Sequence, residues 1–331
     1  MKEQLDFLAL GDITTDTFIR LKDADVTCDI NDEHCTISMR WGDKIPYEFA
    51  IEVIGVGNAA NAAVSAARLG LTSALFTYTG TDENGAGDIK NLQDNGVDTS
   101  FVSQSADLPS NHDFVLWYGN ERSILVKHSI FPYEFPADLA PPRYLYLSSL
   151  GDPTGKTHAA IAAWAKAHPE TKMFFQPGQE VHMKKELLKE VYEAAYFCVC
   201  NKEEAAEILG HQEIPEMSEL LKEMTALGPQ IVVITDGLNG ASAYDGTNQY
   251  SVPLYPDDRA PYERTGAGDA FASTIACALA LGKPLEEALM WGPINSMSVV
   301  QDVGAQKGLM TRVQIEEHLA NAPADYTLTT L

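Results

Sequence analysis

The sequence predicts an α/β fold: a mainly parallel sheet with helices between its strands, and a small antiparallel β flap over one edge. Strand-like and helix-like runs alternate through most of the 331 residues, which is the pattern of βαβ units. Two segments, about 21–54 and 111–128, break that alternation with short period-2 runs such as HCTISMRWG, YEFAIEVI, HDFVLWYG and RSILVKH. Flaps of this kind usually close over a ligand. With no internal repeat and no linker visible, residues 1–331 read as one domain carrying two lid segments.

LDFLALG at 5–11 opens the alternation as the first strand. NAANAAVSAARL at 58–69 has small residues on every face and Gly70 as a stop, so it predicts a helix whose backbone packs close to the sheet. LTSALFTYTG, GAGDIKNLQDNG and VDTSFVS follow as strand, amphipathic helix and strand. RYLYLSSL, TKMFFQ, AAYFCVC and QIVVITD read as buried strands, with helical stretches near 155–168, 182–193 and 202–210. Helices over 267–281, 285–300 and 312–320 complete the chain.

Composition narrows the partners. Forty-seven acidic against 23 basic side chains give a net charge of −24, with no basic stripe, which excludes nucleic acid and anionic membrane surfaces as partners. The longest apolar runs are strand-length, so no membrane helix is expected, and the opening MKEQLDFLALGD lacks a secretory pattern. A cytoplasmic location is therefore expected. The five cysteines form an odd, scattered set that suits a reducing compartment. Cys28 and Cys35 flank an Asn31-Asp32 turn signal and could face each other across a hairpin, but they read as ordinary half-buried thiols rather than a disulfide or metal pair.

Four glycine-rich loops compete as anion sites. Gly55-Val-Gly57-Asn-Ala-Ala60 fits a dinucleotide fingerprint formally, yet the next strand ends in Phe76-Thr-Tyr-Thr79 without the acidic residue a ribose requires. Gly151-Asp-Pro-Thr-Gly155-Lys156-Thr157 misses the P-loop spacing by one residue, and Pro153 removes a backbone N–H from a loop that must present them. In Gly85-Ala-Gly87-Asp88 the carboxylate reads as a complement to a helix dipole. Arg264-Thr265-Gly266-Ala267-Gly268-Asp269-Ala270-Phe271 leads straight into a long apolar helix. Its successive N–H groups would form a phosphate nest at a helix N-terminus. A carboxylate there is out of place in a bare anion cradle, but suits a site that must also take a proton from the group attacking the phosphate.

With these residues in view, the sequence resembles the ribokinase-like sugar kinases, also called the phosphofructokinase-B family. The family's D-T-x-G-A-G-D-x-F signature is matched by Glu263 to Phe271, and its G-G-x-x-x-N turn before an Ala-rich helix by Val56-Gly57-Asn58-Ala59-Ala60-Asn61 through Arg68-Leu69-Gly70. Gly11 to Asp16, Asn201-Lys202-Glu203-Glu204 and Thr235-Asp236-Gly237 with Asn239-Gly240 stand in the expected order. The resemblance implies a three-layer α/β/α domain with a β lid, ATP as donor, and transfer of its γ-phosphoryl group to a hydroxymethyl of a sugar. A nucleoside acceptor is the alternative, and a non-catalytic ligand-binding relative the outsider.

Roles follow from the resemblance position by position. Asp269 would be the base, and Gly266, Ala267 and Gly268 the anion hole. Asp16, Gly57, Asn58 and Asn61 would hold the acceptor. Asn201, Thr235, Gly237, Gly240 and Asn295 would line the nucleotide, with Mg²⁺ held through water by Asn201 and Glu204. Glu263 and Thr265 mark a K⁺ site, although Glu263-Arg264 replaces the usual Asp-Thr and Val56 the first glycine of its pair. In relatives a lid of this type often also forms a homodimer interface. His112, Trp117, Tyr118 and His128 are candidates to stack on a sugar or base, and Gln176-Pro177-Gly178 is a candidate turn at the acceptor.

Overall fold

The computed structural model describes residues 4–28, 35–119, 121–178, 182–183, 185–257 and 259–330. In chain order the elements begin β1 (Phe7–Leu10), β2 (Thr14–Leu21), β3 (Asp25–Thr27), β4 (Thr36–Ser38), β5 (Tyr47–Val56), α1 (Asn58–Arg68), β6 (Ser73–Gly80), α2 (Glu83–Asp94) and β7 (Val102–Ser105). They continue β8 (Asn111–Tyr118), β9 (Glu121–Leu125), β10 (Tyr144–Leu147), α3 (Lys156–Ala167), β11 (Lys172–Phe175), α4 (Lys185–Ala194), β12 (Ala195–Asn201), α5 (Lys202–Leu209) and α6 (Met217–Ala226). β13 (Ile231–Thr235), β14 (Ala241–Tyr244), β15 (Gln249–Val252), α7 (Ala267–Ala280), α8 (Leu285–Val299), α9 (Arg312–Ala320) and β16 (Thr329–Thr330) complete them.

One large sheet has the order β16-β15-β14-β13-β12-β11-β10-β1-β6-β7. Neighbours from β13 to β7 are parallel, and β14 to β16 extend the edge antiparallel. β1 shows why the domain has three layers. Its four residues are fully buried, and they alternate between two cores. Phe7 and Ala9 pack with residues of α1, α7 and α8, whereas Leu8 and Leu10 pack with residues of α3 to α6. A strand buried on both faces reads as a continuous apolar run, and FLAL is one. The alternation predicted from sequence is thus a parallel sheet sandwiched by helices.

The lid is a separate sheet in the order β5-β2-β8-β9. It differs from the sequence expectation at its start. Its central strand is β2, which includes Asp16 and pairs antiparallel with β5 and parallel with β8. The stretch TTDTFIRL lies between the first strand and the 21–54 segment, and its sequence alone assigns it to neither. Its inward side chains nevertheless alternate, with Phe18 fully buried on the same face as Val115 and Trp117. Among the described residues of 21–54, the lid sheet takes β5 and the last residue of β2, Leu21, whereas β3 and β4 pair with each other as a separate two-stranded sheet.

Three further readings are corrected. Cys28 and Cys35 are joined in a disulfide across the β3–β4 hairpin rather than standing as separate thiols. The antiparallel pairing of Thr27 with Thr36 suffices to bring the two cysteines together, whatever the overall count suggests, and Asn31 and Asp32 lie outside the described residues. Asp88 lies beyond the first turn of α2, so dipole compensation is not its role. Fully buried, it accepts from Thr15 Oγ1 at 3.1 Å, the Gly55 N–H at 2.9 Å and Thr79 Oγ1 at 3.3 Å, tying both roots of the lid to the body. Helix α6 and the β14–β15 hairpin were not anticipated.

Candidate active site

The parallel strands end on one edge of the sheet, and the motifs singled out in the sequence follow those ends: Gly11-Asp12 after β1, Gln176 after β11, Asn201 closing β12 and Thr235 closing β13. Crevices at this edge are where open α/β sheets bind ligands. A cavity of about 1280 Å³ lies there, roofed by lid residues. That is more than the roughly 300–1,000 Å³ of a single small-ligand pocket, so it can hold two ligands at once.

Asp269 stands at the centre of this cavity. Gly266 caps α7 at φ +81°, and a Cβ there would collide with Ala305, so only glycine can make the turn. The turn sets Asp269 in the first helical turn, beside free N–H groups and the positive end of the dipole. Three amides hold its carboxylate: Asn58 Nδ2 at 2.9 Å and Gln176 Nε2 at 2.9 Å donate to Oδ1, and Asn61 Nδ2 at 2.8 Å donates to Oδ2. Gln306 Nε2 donates to Asn61 Oδ1 at 3.0 Å, which forces the NH₂ end of Asn61 toward Asp269. Burial raises the Asp269 carboxyl above its ordinary range, while the three amides and the charge of Arg122 hold it back. A carboxylate whose pKa is raised in this way is a better proton acceptor than an ordinary one.

At one end of the cavity, carboxylates gather around a histidine. His128 lies between Asp12 Oδ2, 3.0 Å from Nδ1, and Asp113 Oδ2, 3.2 Å from Nε2. Burial alone would lower the His128 pKa, but hydrogen bonds to Asp113 and Asp12 override it and push it up to about 10. Asp16, opposite Asp113 in the lid register, is 9% exposed and has Oδ1 buried without a hydrogen-bond partner. Burial and the nearby Asp113 carboxylate push the Asp16 pKa up to about 7. An orphaned buried acceptor of this kind calls for a ligand hydroxyl. The Gly57 turn makes the floor. Its φ of +109° and a Cβ clash at 2.8 Å from the Asp12 carbonyl explain the glycine.

At the other end, Asn201 and Glu204 form a capping box on α5. The Glu204 N–H donates to Asn201 Oδ1 at 2.7 Å, and the Asn201 N–H donates to Glu204 Oε2 at 2.8 Å. Burial raises the Glu204 pKa, offset by the Asn201 N–H. Oε1 of Glu204 has no hydrogen bond among the described residues. Thr235, Gly237 and Gly240 line the same end.

The pfkB family carbohydrate kinase model matches residues 38–312. The chain belongs to that family. As a pfkB-family kinase it is an ATP-dependent phosphotransferase with an alcohol group as acceptor. It is similar to the ribokinase of Bacillus subtilis (strain 168), 27% identical over 276 residues that span 82% of this chain and 89% of that one. Its fold matches a nucleoside kinase of Methanocaldococcus jannaschii with a TM-score of 0.75 at 21% identity, covering 95% of this chain and 98% of that one. It also matches an Arabidopsis thaliana ribokinase, solved with ribose and ATP, with a TM-score of 0.76 at 17% identity and coverage of 96% and 99%.

Most of the residues expected of this kinase meet in the one cavity: Asp16, Gly57, Asn58, Asn61, Asn201, Glu204, Thr235, Gly237, Gly240 and Thr265 to Asp269 all line it. Asn295 does not. It is fully buried in the core, with Nδ2 donating to Thr274 Oγ1 at 2.7 Å and Oδ1 accepting the Met310 N–H at 2.9 Å, so its expected nucleotide role is corrected. Pro293, Ser296 and Met297 face the cavity from α8 instead. Trp117 is also withdrawn: it is buried between Phe49, Tyr262 and the Arg20 guanidinium. His112 pairs with Thr17 and Asn84 and stacks on Phe114. Of those four aromatic candidates, His128 alone lines the cavity.

Glu263 lies just behind the anion hole, 2% exposed. Oε1 accepts from the Thr265 N–H at 2.9 Å and Thr265 Oγ1 at 2.7 Å, and Arg122 Nε lies 3.8 Å away. The carboxylate that the resemblance implies for K⁺ is thus faced by the Arg122 guanidinium, while its Oε2 is buried without a hydrogen-bond partner. Sequence reasoning gave no role to Asp12, although it stands in the Gly11–Asp16 motif, and missed Asp113, Arg122 and Gln306 as cavity or supporting residues, because they come from segments scattered along the chain and no local motif links them.

Proposed function

We propose that the chain phosphorylates a hydroxymethyl group of an unphosphorylated sugar, with ATP as donor and Asp269 as the base. The observation that carries this reading is the Asp269 carboxylate, held by three amides at the N-terminus of α7 in the middle of a two-ligand cavity. The Asp269 carboxylate takes the hydroxyl proton as the sugar oxygen bonds to the γ-phosphorus. The bond from that phosphorus to the β–γ bridging oxygen breaks, and ADP leaves. N–H groups of Gly266 to Gly268 and the α7 dipole face the negative charge spread over the transferring group.

No cluster of three His, Cys, Asp or Glu ligands for a metal occurs among the described residues. Mg²⁺ usually takes one or two protein groups together with substrate phosphates, and the free Oε1 of Glu204 beside Asn201 fits that pattern. When bound, Mg²⁺ supplies charge neutralisation on the phosphates. Thr235, Gly237 and Gly240 would flank the nucleotide.

Two features favour a neutral sugar as acceptor. Asp12, Asp16 and Asp113 surround that end, a repulsive environment for a sugar phosphate. Among the described residues the aromatic ring at that end is His128, which is held at both nitrogens by Asp12 and Asp113, and the lid otherwise offers Ile124 and Val126. The exposed cross-strand pair Phe114 and Leu125 on the outer lid face supports self-association through the lid, which sedimentation would read. An ADP-release panel of pentoses, hexoses, sugar phosphates and nucleosides tests the assignment. Turnover should be fastest with a free sugar. A preference for sugar phosphates or nucleosides would refute the acceptor class, and silence across the panel would refute the kinase reading.

A further inference from the structure

We propose that Gln306 and Tyr146 are positioning residues of the phosphoryl transfer: each holds the carbonyl end of a side-chain amide whose NH₂ end holds the Asp269 carboxylate, so that two of the three donors on the base face it one way only. The inference rests on the kinase reading above, which makes Asp269 the base.

A side-chain amide has a donor end and an acceptor end of nearly equal size, and a half-turn exchanges them. Turned the wrong way, Asn61 or Gln176 would set a carbonyl oxygen against the carboxylate and repel it. Both are locked from behind. Gln306 Nε2 donates to Asn61 Oδ1 at 3.0 Å, and Tyr146 Oη donates to Gln176 Oε1 at 2.5 Å. Asn58, the third amide on Asp269, is the contrast: it lines the cavity, and its Oδ1 has no hydrogen bond among the described residues.

The lock on Asn61 is itself fixed. The second Nε2 hydrogen of Gln306 goes to the Gly55 carbonyl at 2.8 Å, a backbone oxygen that can only accept, and Asn91 Nδ2 donates to Gln306 Oε1 at 3.0 Å. Arg68 lies about two turns beyond Asn61 on α1. Its Nη1 donates to the Gln306 and Leu309 carbonyls at 2.6 and 3.0 Å, which ties the loop between α8 and α9 to the helix that carries Asn61. Around Gln306 every hydrogen bond therefore has a single sense, and the series ends on the acceptor Asp269. Tyr146 is fully buried on β10 and Gln306 is 6% exposed, and neither is among the cavity's lining residues. They reach the reaction only through the amides in front of them. Donors fixed beforehand in this way need no reorganisation as the charge on the base changes.

Burial raises the Asp269 pKa and the amides of Asn61, Gln176 and Asn58 oppose it, so freeing either locked amide should raise it further. The charged and titratable groups that face Asp269 are Arg122 from β9, Asp16 from β2, Glu204 from α5 and Tyr146 from β10, with Glu263 and Arg264 on its own loop. Gln306→Met and Tyr146→Phe leave all of those charges in place.

The test follows the carbonyl stretch of the protonated Asp269 carboxyl against pH by infrared difference spectroscopy, assigned by its loss in Asp269→Asn. ADP release at saturating sugar, ATP and Mg²⁺ is measured alongside. Gln306→Met, close in volume and without a donor, should raise the Asp269 midpoint by about one pH unit and lower kcat at neutral pH about tenfold. Tyr146→Phe should shift the midpoint in the same direction, and it serves if the methionine variant does not fold. In an Asn61→Ala background Gln306→Met should shift the midpoint no further, whereas Tyr146→Phe still should. An unshifted midpoint in either folded single variant, or an equal shift from Gln306→Met with and without Asn61, would overturn the inference alone. A wild type that releases no ADP would overturn the kinase reading, and the inference with it, even with both shifts present.

Discussion

Asp16 is the residue whose environment most needs a ligand. Its carboxyl titrates near 7 in the folded chain, against an ordinary value of about 3.9. Between those values the folded protein binds a proton that the unfolded chain does not, so stability is complete below about pH 4 and is lost as the pH rises through 7. Asp16→Asn should therefore be more stable than wild type at pH 8, by at most about 4 kcal/mol, and no more stable near pH 4, as urea melts at the two values would read. The same variant should raise acceptor KM at least tenfold, since a charged hydrogen bond to a hydroxyl is lost. Sequence motifs pointed to Asp16 and Asp269, but burial set their chemistry. Nothing local indicates that Asp16 shares a lid face with Asp113, or that Gln306 turns the Asn61 amide toward Asp269. Asn295 shows the opposite error: a polar residue on a late helix looked available until the core was seen to satisfy both ends of its amide.

Among the elements, α5 joins structure and function at one point. Asn201 caps the helix and faces the nucleotide end of the cavity, so Asn201→Ala should cost about 1 kcal/mol of stability. It should also raise the Mg²⁺ concentration needed for half-maximal activity, and a titration of ADP release against Mg²⁺ would detect this. An unchanged Mg²⁺ requirement would leave Asn201 as a cap alone. The parallel strands were legible because each is an uninterrupted apolar run, and α7 because its start is a nest of small residues. β2 was not, since its alternation follows β1 within three residues and is resolved only by β5 and β8 on either side. The β3–β4 disulfide was obscured by the odd number of cysteines, which describes the whole chain and not one hairpin.

For the molecule as a whole, a net charge of −24 disfavours an incoming nucleotide. Screening confines such a field to roughly 8–10 Å, so the sign at the site is set by groups in contact with it. Those groups are the α7 N-terminus, Arg122 and the metal ion brought with the phosphates. Two layers of helices flank the sheet, and the lid, rooted through Asp88, covers the cavity at its edge. Everything converges on Asp269, whose carboxylate must be the proton acceptor if the cavity works as described. The kcat for ADP release by Asp269→Asn, measured at saturating sugar, ATP and Mg²⁺ on protein that melts as the wild type does, should fall by about 10²–10⁴-fold. A variant that turned over at the wild-type rate would contradict that role.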